Sequence, residues 1–400
     1  MASSIDASTS GAGGLISTAD NTGTLDLKSG GTTIATVSST GLAVATGKTL
    51  SVGGITSSPY TMKNRIINGA MMIDQRNAGA SVTPSSGQTY LVDRFCVYNS
   101  VTSKFTAQRS STAPTGFVNS LLITSSSAYT VGASEVFMLE QRVEGFNIAD
   151  LAWGTASAAT VTLSFWVRSS LTGTFGGVID NGSTTRSYPF TYTISAANTW
   201  EQKTITIAGD TTGTWTTDNS TGMYVIWALG VGSTFQGTAN AWAGAEKYSA
   251  SGAQSLLGTN GATLYITGVQ LEKGSTATEF EWRPFTKELQ LCQRYYQKSF
   301  NYSVAPSNGG ASSFSTNYGL IAAYSTNSYA SGHTRWLVTM RDTPTMTYYG
   351  NSSGYWAYNG TYHVNVAAGH VANDNGMFFS QQAIGGGVFI YGHYAASAEL

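Results

Sequence analysis

Short runs in which apolar and polar residues alternate recur through the middle of this sequence, and they constrain its fold more than any other feature. In the clearest run, TVTLSFWVR, four apolar side chains fall on one face of an extended chain: Val161, Leu163, Phe165 and Val167. Runs of the same character are SLLITS, TITI, GMYVIWAL and ATLYITGVQL. Short strands at this spacing, separated by turn-forming residues, predict a jelly-roll-like β-sandwich over residues 61–285.

Charged residues are scarce in this chain. They make up 10% of 400 residues, whereas an average soluble domain has roughly 25%. Long solvated helices need Glu, Lys and Arg on their outer face, but short strands joined by turns that contain Gly and Asn need few charges. With 46 Gly and 41% hydrophobic residues, the composition predicts an all-β chain with real cores.

Net charge and hydropathy also exclude two classes of partner. A net charge of −1 leaves no basic surface of the kind that binds nucleic acid. No apolar run approaches the roughly 18 residues of a membrane span. The start of the chain, MASSIDASTSGAGG, has no signal-peptide pattern. We therefore expect no nucleic-acid partner, no membrane insertion, and synthesis in a cytoplasm.

The first 60 residues differ from the rest, with Tyr60 as their sole aromatic residue. A segment so poor in large apolar side chains cannot bury enough area to fold alone. Apolar residues nevertheless form alternating pairs between glycines: Leu25 and Leu27, Leu42 and Val44, Leu50 and Val52. Because several chains wound about one axis would bury this narrow stripe, we predict a short intertwined β stalk over residues 31–60. A disordered Gly/Ser/Thr linker is the alternative.

Residues 286–299, TKELQLCQRYYQKS, are the one segment with a convincing helical pattern. Thr286 is placed to cap the helix, and Cys292 and Tyr296 share one face. A helix this short must pack against something, so we predict a helical neck. A small C-terminal β domain follows at residues 300–400, with candidate strands such as TRWLVTM and TMTYY.

Several stretches resemble phage tail-fibre proteins. The opening, SSIDASTSGAGGLISTADNTGTLDLKSGG, resembles the segment by which such fibres attach to the virion. The stretch NRIINGAMMIDQRNAG with the following LVDRF resembles the start of their central sandwich. The stretch GVQLEKGSTATEFEWRPFTKELQLCQRYYQKS resembles the last strand of that sandwich, its exit loop and the linking helix. The stretch MRDTPTMTYY and the terminal AEL resemble the C-terminal domain of such fibres.

This resemblance implies an elongated homotrimeric fibre that acts in the virion. Residues 1–30 would be a virion-attachment segment that docks on phage tail or baseplate proteins. Residues 300–400 would be a receptor-binding tip that attaches the virion to a host surface glycan or other receptor. The runner-up is a capsid decoration (head) fibre, which would differ only in where residues 1–30 dock. The middle of the chain resembles carbohydrate-binding β-sandwiches loosely, through SFWVRSS and NTWEQKTITI.

Glycan binding is the chemistry that the aromatic residues favour. Sugars present flat apolar faces and rows of hydroxyls, so a site needs exposed rings beside short polar side chains. The segment TYYGNSSGYWAYNGTYH supplies both, and its candidate ligand-binding residues are Tyr349, Tyr355, Trp356, Tyr358 and Tyr362. The weaker candidates, in Gly/Thr/Ala-rich stretches of the sandwich, are Trp215, Trp242 and Tyr248. The alternative is that the tip rings fill the core of a small trimeric domain.

No catalytic or metal-ligating pattern stands out in the sequence. G-x-S-x-G, P-loop and HExxH motifs are absent, and acidic residues such as Glu140 and Glu144, around Arg142, look structural. The four histidines have no His-x-His or His-x3-His spacing. We interpret Cys96 and Cys292 as buried free thiols. We therefore predict no enzyme activity, no cofactor and no metal; the alternative is a polysaccharide-degrading, tailspike-like enzyme.

Overall fold

A computed structural model describes residues 3–7, 15–18, 23–39, 41–45, 48, 62–308, 320–324, 329–350, 356–358, 362–364, 370–382 and 388–400. The chain divides into two compact units, Met1–Met62 and Lys63–Leu400. The described residues are mostly β-strand with one α-helix, so the all-β prediction is confirmed. No helix in this part of the chain has the length and apolar character that crossing a bilayer requires.

The N-terminal unit is a five-stranded sheet with the strand order β2-β1-β3-β4-β5. Its strands are β1 (Ser3–Ala7), β2 (Leu15–Thr18), β3 (Leu25–Ser29), β4 (Thr32–Ser38) and β5 (Gly41–Val44). Strands β1 and β3 run parallel, and the other pairs are antiparallel. Gly30 and Gly31 form the tight loop between β3 and β4, with φ of 56° and 76° that a two-residue hairpin favours.

Two predictions concern this unit. The predicted boundary between residues 30 and 31 falls in the turn of the β3–β4 hairpin, so both sides of it share one sheet; the division into an attachment segment and a stalk stays a prediction. Of the described stripe residues, Leu42 is 47% exposed in a single chain, whereas Leu25, Leu27 and Val44 are half-buried. Val37, which pairs with Leu42, is 39% exposed. Leu50 and Val52 lie outside the described residues. The intertwined stalk therefore stays a prediction.

The second unit contains a β-sandwich made of two antiparallel sheets. One sheet has six strands: β13 (Ser187–Ile194), β12 (Gly173–Asn181), β15 (Thr221–Val231), β10 (Val136–Glu144), β7 (Phe95–Asn99) and β6 (Gly87–Tyr90), in that order. The other has five: β14 (Glu201–Ile207), β11 (Val161–Ser169), β18 (Thr263–Lys273), β9 (Ser120–Ser125) and β8 (Phe105–Ser110). Two short strands, β16 (Gln236–Gly237) and β17 (Ser249–Ala250), pair in parallel beside the sandwich.

One continuous core fills the space between the two sheets. The predicted inward face of β11 is confirmed, because Val161, Leu163, Phe165 and Val167 are each 0% exposed and belong to this core. Phe165 meets Trp227 of the opposite sheet edge-to-face, with ring centroids 5.6 Å apart, a favoured geometry for aromatic pairs. The period-two pattern therefore reports which face of each strand is buried.

The helix after the sandwich is shorter than predicted. It spans Phe285–Gln293 (α1), where the sequence predicted residues 286–299, and Tyr296–Lys298 form strand β19 instead. Pro284 occupies the cap position and no side chain caps the helix, so the predicted capping role of Thr286 is wrong. The helix ends just before Arg294, whose Nε donates to Oε2 of Glu144 at 2.9 Å. This contact holds the chain against the sandwich.

The described residues of the C-terminal part of this unit form eight further strands. They are β20 (Leu320–Tyr324), β21 (Tyr329–Arg335), β22 (Thr345–Tyr349), β23 (Trp356–Tyr358), β24 (Tyr362–Val364), β25 (His370–Asn373), β26 (Gly376–Gln382) and β27 (Val388–Ser397). Strand β27 pairs with β19, β20, β22 and β23. The strand predicted at TRWLVTM ends instead at Arg335, because the Trp336 indole turns inward and donates to the Asn373 carbonyl at 2.7 Å.

The stretches that resemble the start of a tail-fibre sandwich and its exit loop with the linking helix contact each other in the structure. The Asn64 backbone amide donates to Glu281 at 2.5 Å, and the Asn68 amide donates to Glu288 of α1. Gln75 donates its backbone amide to Asp93 at 2.9 Å. These contacts join the start of the sandwich to its exit loop and to the helix. The polar residues of these stretches are therefore structural.

Both cysteines are buried free thiols, as predicted. Cys96 and Cys292 are each 0% exposed, and burial raises the pKa of both thiols. Since the thiolate is the reactive form, neither position is suited to nucleophilic or redox chemistry.

Candidate functional site

The weaker tryptophan candidates are packed together in the sandwich. Trp215 is 7% exposed, and its ring meets Trp153 edge-to-face with centroids 4.6 Å apart. Trp242 is half-buried, packs 5.4 Å from Trp153, and donates its indole N–H to the Ala208 carbonyl at 2.9 Å. Aromatic neighbours and a hydrogen bond to Asp210 hold the Trp215 ring in the core, so little of it is open to a ligand; ligand binding by Trp215 and Trp242 stays a prediction.

The predicted tip residues are only partly brought together. Tyr349 is half-buried in β22, and its ring meets Phe300 edge-to-face at 5.4 Å. Strands β23 and β24 pair antiparallel, which places Tyr358 opposite Tyr362, two positions from Trp356. Tyr355 lies outside the described residues, as do the side chains of the other three. A glycan site at these residues stays a prediction.

A groove of about 330 Å³ lies on the face of the six-stranded sheet that is turned away from the main core. Its floor is built from alternate residues of β10 and from β15, and the strand register places Arg142 opposite Tyr224. One wall comes from β7, where Tyr98 pairs with Met138 and is 40% exposed. Neighbouring strands that are distant in sequence thus place one tyrosine ring beside Arg142 and a second tyrosine, Tyr98, further along the same groove.

The opposite wall is the segment 233–250, here called the strap. It lies between β15 and β18 in the sequence and crosses this face of the sheet. The Tyr248 amide donates to the Phe235 carbonyl at 2.8 Å, and their rings lie 5.5 Å apart. Both rings pack on an apolar cluster of the sheet that includes Met138 and Ile226. The Tyr248 hydroxyl donates to the exposed Glu246. Of the weaker sequence candidates, Tyr248 alone therefore lines the groove.

Glu140 and Arg142 supply the charge of the floor. The Arg142 Nε donates to the Glu140 carboxylate at 2.9 Å, and the guanidinium lies 5.1 Å from the centre of the Tyr224 ring. Glu140 is 1% exposed, so water screens its carboxylate little. The Arg142 guanidinium therefore balances most of its charge. The ion pair agrees with the structural role predicted for Glu140, and both Glu140 and Arg142 also line the groove. With Glu246 at the rim, the groove carries two carboxylates and one guanidinium.

Asp180 lies on the part of β12 that faces the strap, on the same face as Val178. It is 0% exposed, and neither carboxylate oxygen has a hydrogen-bond partner among the described residues. Burial, and then the nearby Glu246 carboxylate, raise the pKa of Asp180 to about 8. The side chain is therefore a neutral acid at pH 7 and adds no charge beneath the groove.

We expect the free energy of unfolding of Asp180→Asn to fall less steeply with rising pH than that of the native protein. Between the ordinary carboxyl pKa of 3.8 and the raised value of about 8, only the unfolded chain loses this proton. The free energy of unfolding of the native protein should therefore fall by up to about 1.4 kcal/mol per pH unit across that window and level off above it. Denaturant titrations at pH 4 to 9 measure this slope.

The exposed Asp342 supplies the control for this comparison. Asp342→Asn should keep the native slope between pH 4 and pH 8. An equal slope for the native protein and Asp180→Asn would contradict the raised pKa.

The described residues contain no group of three or more His, Cys, Asp or Glu side chains that is placed to hold a metal ion. His393 is buried and stacks on Phe300 with ring centroids 4.1 Å apart, and burial lowers its pKa. Its Nδ1 lies 2.9 Å from the Ser299 hydroxyl. His393 is thus a packed histidine.

Comparison with known proteins gives no family assignment. No family model matches the sequence, and no curated protein matches it. Solved structures with partial similarity include the enzymatically active domain of tailspike protein 4 of bacteriophage CBA120, at 13% identity and TM-score 0.29, over 54% of this chain and 22% of that one. A putative sugar binding protein from Bacteroides thetaiotaomicron aligns at 11% identity and TM-score 0.31, over 53% of this chain and 100% of that one.

A third similar structure is the family 11 carbohydrate-binding module of the cellulase Lic26A-Cel5E of Clostridium thermocellum. It aligns at 11% identity and TM-score 0.26, over 48% of this chain and 99% of that one. TM-scores of this size carry no argument for a shared function.

Proposed function

We propose that this chain binds a glycan non-covalently through the groove of the six-stranded sheet and does not cleave it. The observation that carries the proposal is the set of tyrosines around the groove: Tyr98 on one wall, Tyr224 on the floor and Tyr248 on the strap. Concave sites lined by rings and a few polar groups suit small organic ligands. Sugars in particular combine apolar faces, which pack on rings, with hydroxyls, which need hydrogen-bond partners.

The polar groups of the groove match the hydroxyls of a sugar. The carboxylate of Glu246 at the rim accepts hydrogen bonds, and the guanidinium of Arg142 donates them. Burial, followed by the hydrogen bond to Glu246, raises the pKa of Tyr248, so that this hydroxyl stays protonated. With two carboxylates against one guanidinium, the groove repels polyanionic glycans and favours neutral or amine-bearing ones.

In the larger assembly, we propose that the chain is a phage tail fibre that attaches the virion to its host. The N-terminal sheet would dock on tail or baseplate proteins, and the C-terminal β domain would meet the host surface. The exposed apolar side chains of Val37 and Leu42 support the proposal that this surface is buried between chains. Three chains per fibre would convert weak glycan contacts into avidity.

The proposed trimer predicts a native mass near three times the chain mass of 42.0 kDa. Light scattering on the full chain, and on a form lacking residues 1–60, measures this. If the stripe drives assembly, only the full chain should be trimeric. A full-length monomer would contradict the fibre and leave a glycan-binding sandwich.

Replacement of Tyr224 by alanine is expected to weaken glycan binding by about tenfold or more, equivalent to at least about 1.4 kcal/mol. The ring forms part of the groove floor, so its loss removes both apolar contact area and the surface that Arg142 faces. Isothermal titration with neutral oligosaccharides, selected from an array of neutral, amine-bearing and uronic-acid glycans, measures the effect.

Tyr265→Ala is the matched control, since this half-buried tyrosine lies on the other sheet of the sandwich and faces Arg168 at 4.9 Å. Its affinity should equal that of the native protein. Equal affinities for Tyr224→Ala and native protein would place the site elsewhere. Release of reducing ends from the same oligosaccharides would favour the tailspike-like alternative.

A further inference from the structure

A second pocket, of about 340 Å³, opens on the other side of the strap from the groove. It is bounded by the segment before β10, by the end of β15 and by residues 253–258. Gly230 leaves room for it, since a Cβ at that position would lie 2.9 Å from the Ser255 hydroxyl oxygen and 2.9 Å from a methyl carbon of Val131. All of these residues belong to the continuously described stretch 62–308.

The strap presents neighbouring residues to the two cavities. Phe235 and Tyr248 line the groove, whereas the next residues, Gln236 and Ser249, line the second pocket. Gln236 and Ser249 pair with each other in the parallel bridge of β16 and β17. The bridge is therefore a partition between two cavities on the same face of one sheet.

The two cavities are close enough for one extended ligand. The register of β10 and β15 pairs Arg142 with Tyr224 at the far end of the groove and Val136 with Val231 beside the second pocket. These pairs are six positions apart along β10, which corresponds to about 20 Å of strand. A chain of several linked sugars spans that distance, and a single sugar does not.

The second pocket differs from the groove in charge. Among the described residues, no Asp, Glu, Lys or Arg side chain lines it, and its polar lining consists of hydroxyls and amides, including Thr130, Gln236 and Gln254. The Ser255 hydroxyl is buried and has no hydrogen-bond partner among the described residues. An unpaired buried hydroxyl is unfavourable, and a ligand hydroxyl that enters this pocket would supply the missing partner.

We infer that this pocket is a second sugar subsite, specific for an uncharged, hydroxyl-rich unit of the same oligosaccharide that occupies the groove. The inference rests on the proposed glycan binding and makes it more specific: the ligand is a neutral chain of several sugars, with one part on each side of the strap. Ser255 and Gln254 are the specificity-determining residues of this subsite.

The test is a chain-length series on the full protein. The probes are neutral gluco-, galacto-, manno- and N-acetylglucosamine oligosaccharides of one to six units, measured by isothermal titration. For the native protein, the affinity in the best series should rise about tenfold or more, equivalent to about 1.4 kcal/mol, once the chain is long enough to reach both cavities. Ser255→Ala and Gln254→Ala should lose that gain and keep the affinity for the shortest binding chain.

The variants are chosen so that folding does not obscure the result. Ser255→Ala removes an unpaired hydroxyl, so its thermal midpoint should not fall. Gln254 is exposed, and Ser251→Ala, at an exposed serine outside the pocket, is the matched control. Native-like affinities of both pocket variants at every chain length would overturn the inference while glycan binding stands. Absence of binding by the native protein would overturn the proposed function and the inference with it.

Discussion

Replacement of Glu399 by alanine is expected to lower the free energy of unfolding by about 3–5 kcal/mol, the range observed when one partner of a buried ion pair is removed. The Glu399 carboxylate pairs with Arg94, and it also accepts a hydrogen bond from Arg76 at 3.0 Å. The Arg94 side chain is 1% exposed and the Glu399 side chain 6%. Removal of the carboxylate leaves the Arg94 charge buried without its ion-pair partner.

The remaining contacts of Arg94 cannot replace this carboxylate. Its guanidinium lies 3.6 Å from the centre of the Tyr295 ring and donates to the Arg142 carbonyl at 2.6 Å. Neither contact supplies a negative charge. Because Glu399 follows β27 and Arg94 precedes β7, the pair joins the C-terminal β domain to the sandwich, and we expect both parts to lose stability together.

Equilibrium denaturant unfolding, followed by tryptophan fluorescence, measures this effect. Glu279→Ala is the matched control, at an exposed glutamate of the exit loop, and should change the free energy by less than about 0.5 kcal/mol. The double variant Arg94→Met/Glu399→Leu should be less destabilised than the sum of the two single variants, because it leaves no buried charge alone. A loss below about 1 kcal/mol for Glu399→Ala would contradict the predicted role of the pair.

Replacement of Gly176 by valine is expected to lift the strap from the sheet and to abolish binding in the groove. A Cβ at this position would lie 2.4 Å from the Ser249 hydroxyl oxygen and 3.0 Å from the Ala253 Cβ. Rotation of the Ser249 side chain can relieve the first contact but not the second, nor the 3.2 Å approach to the Ala250 backbone nitrogen. Valine also adds two methyl groups beyond the Cβ, so the strap has to move. Forcing extra atoms into a packed site costs about 1–3 kcal/mol, which the sandwich core can tolerate.

Hydrogen exchange of the strap measures this displacement without any ligand. The Tyr248 and Ser251 amides donate to strap carbonyls at 2.8 and 2.9 Å, and both should lose protection in Gly176→Val. Thr174→Val is the matched control, since this exposed residue lies on the same face of β12. Native protection of the strap in Gly176→Val would show that the close approach is not needed. Native glycan affinity despite lost protection would remove the strap from the proposed site.

Strand patterns were predictable because they depend on local sequence. The alternation in TVTLSFWVR gives the buried face of β11 correctly, and TMTYY is strand β22 as predicted. The helix was overestimated at its C-terminal end, where the helical pattern continues into residues that form β19. That strand exists because β27, nearly a hundred residues later, pairs with Tyr296–Lys298. A contact so distant in sequence overrides a local preference for helix.

The candidate site was harder to predict than the strands. Tyr248 was a weak candidate from its loop position, and Tyr98 and Tyr224 were missed, although each lies on the outward face of a recognisable strand. The outward positions were a usable signal. What no pattern supplied was the strand order, which places β7, β10 and β15 side by side. The burial of Trp215 could not be predicted for the same reason. Trp153, which helps to bury it, lies about sixty residues earlier.

The sequence by itself determined that this chain is all-β and that β11 buries one face. It also determined that the two cysteines are buried thiols and that few charged residues are available for the surface. These properties follow from residue type and from the two-residue period of a strand. The tertiary structure alone decided which strands are neighbours, where the helix ends, and that a strap divides one sheet face into two cavities. Those features depend on contacts between residues far apart in sequence, whose free energies of packing exceed local preferences.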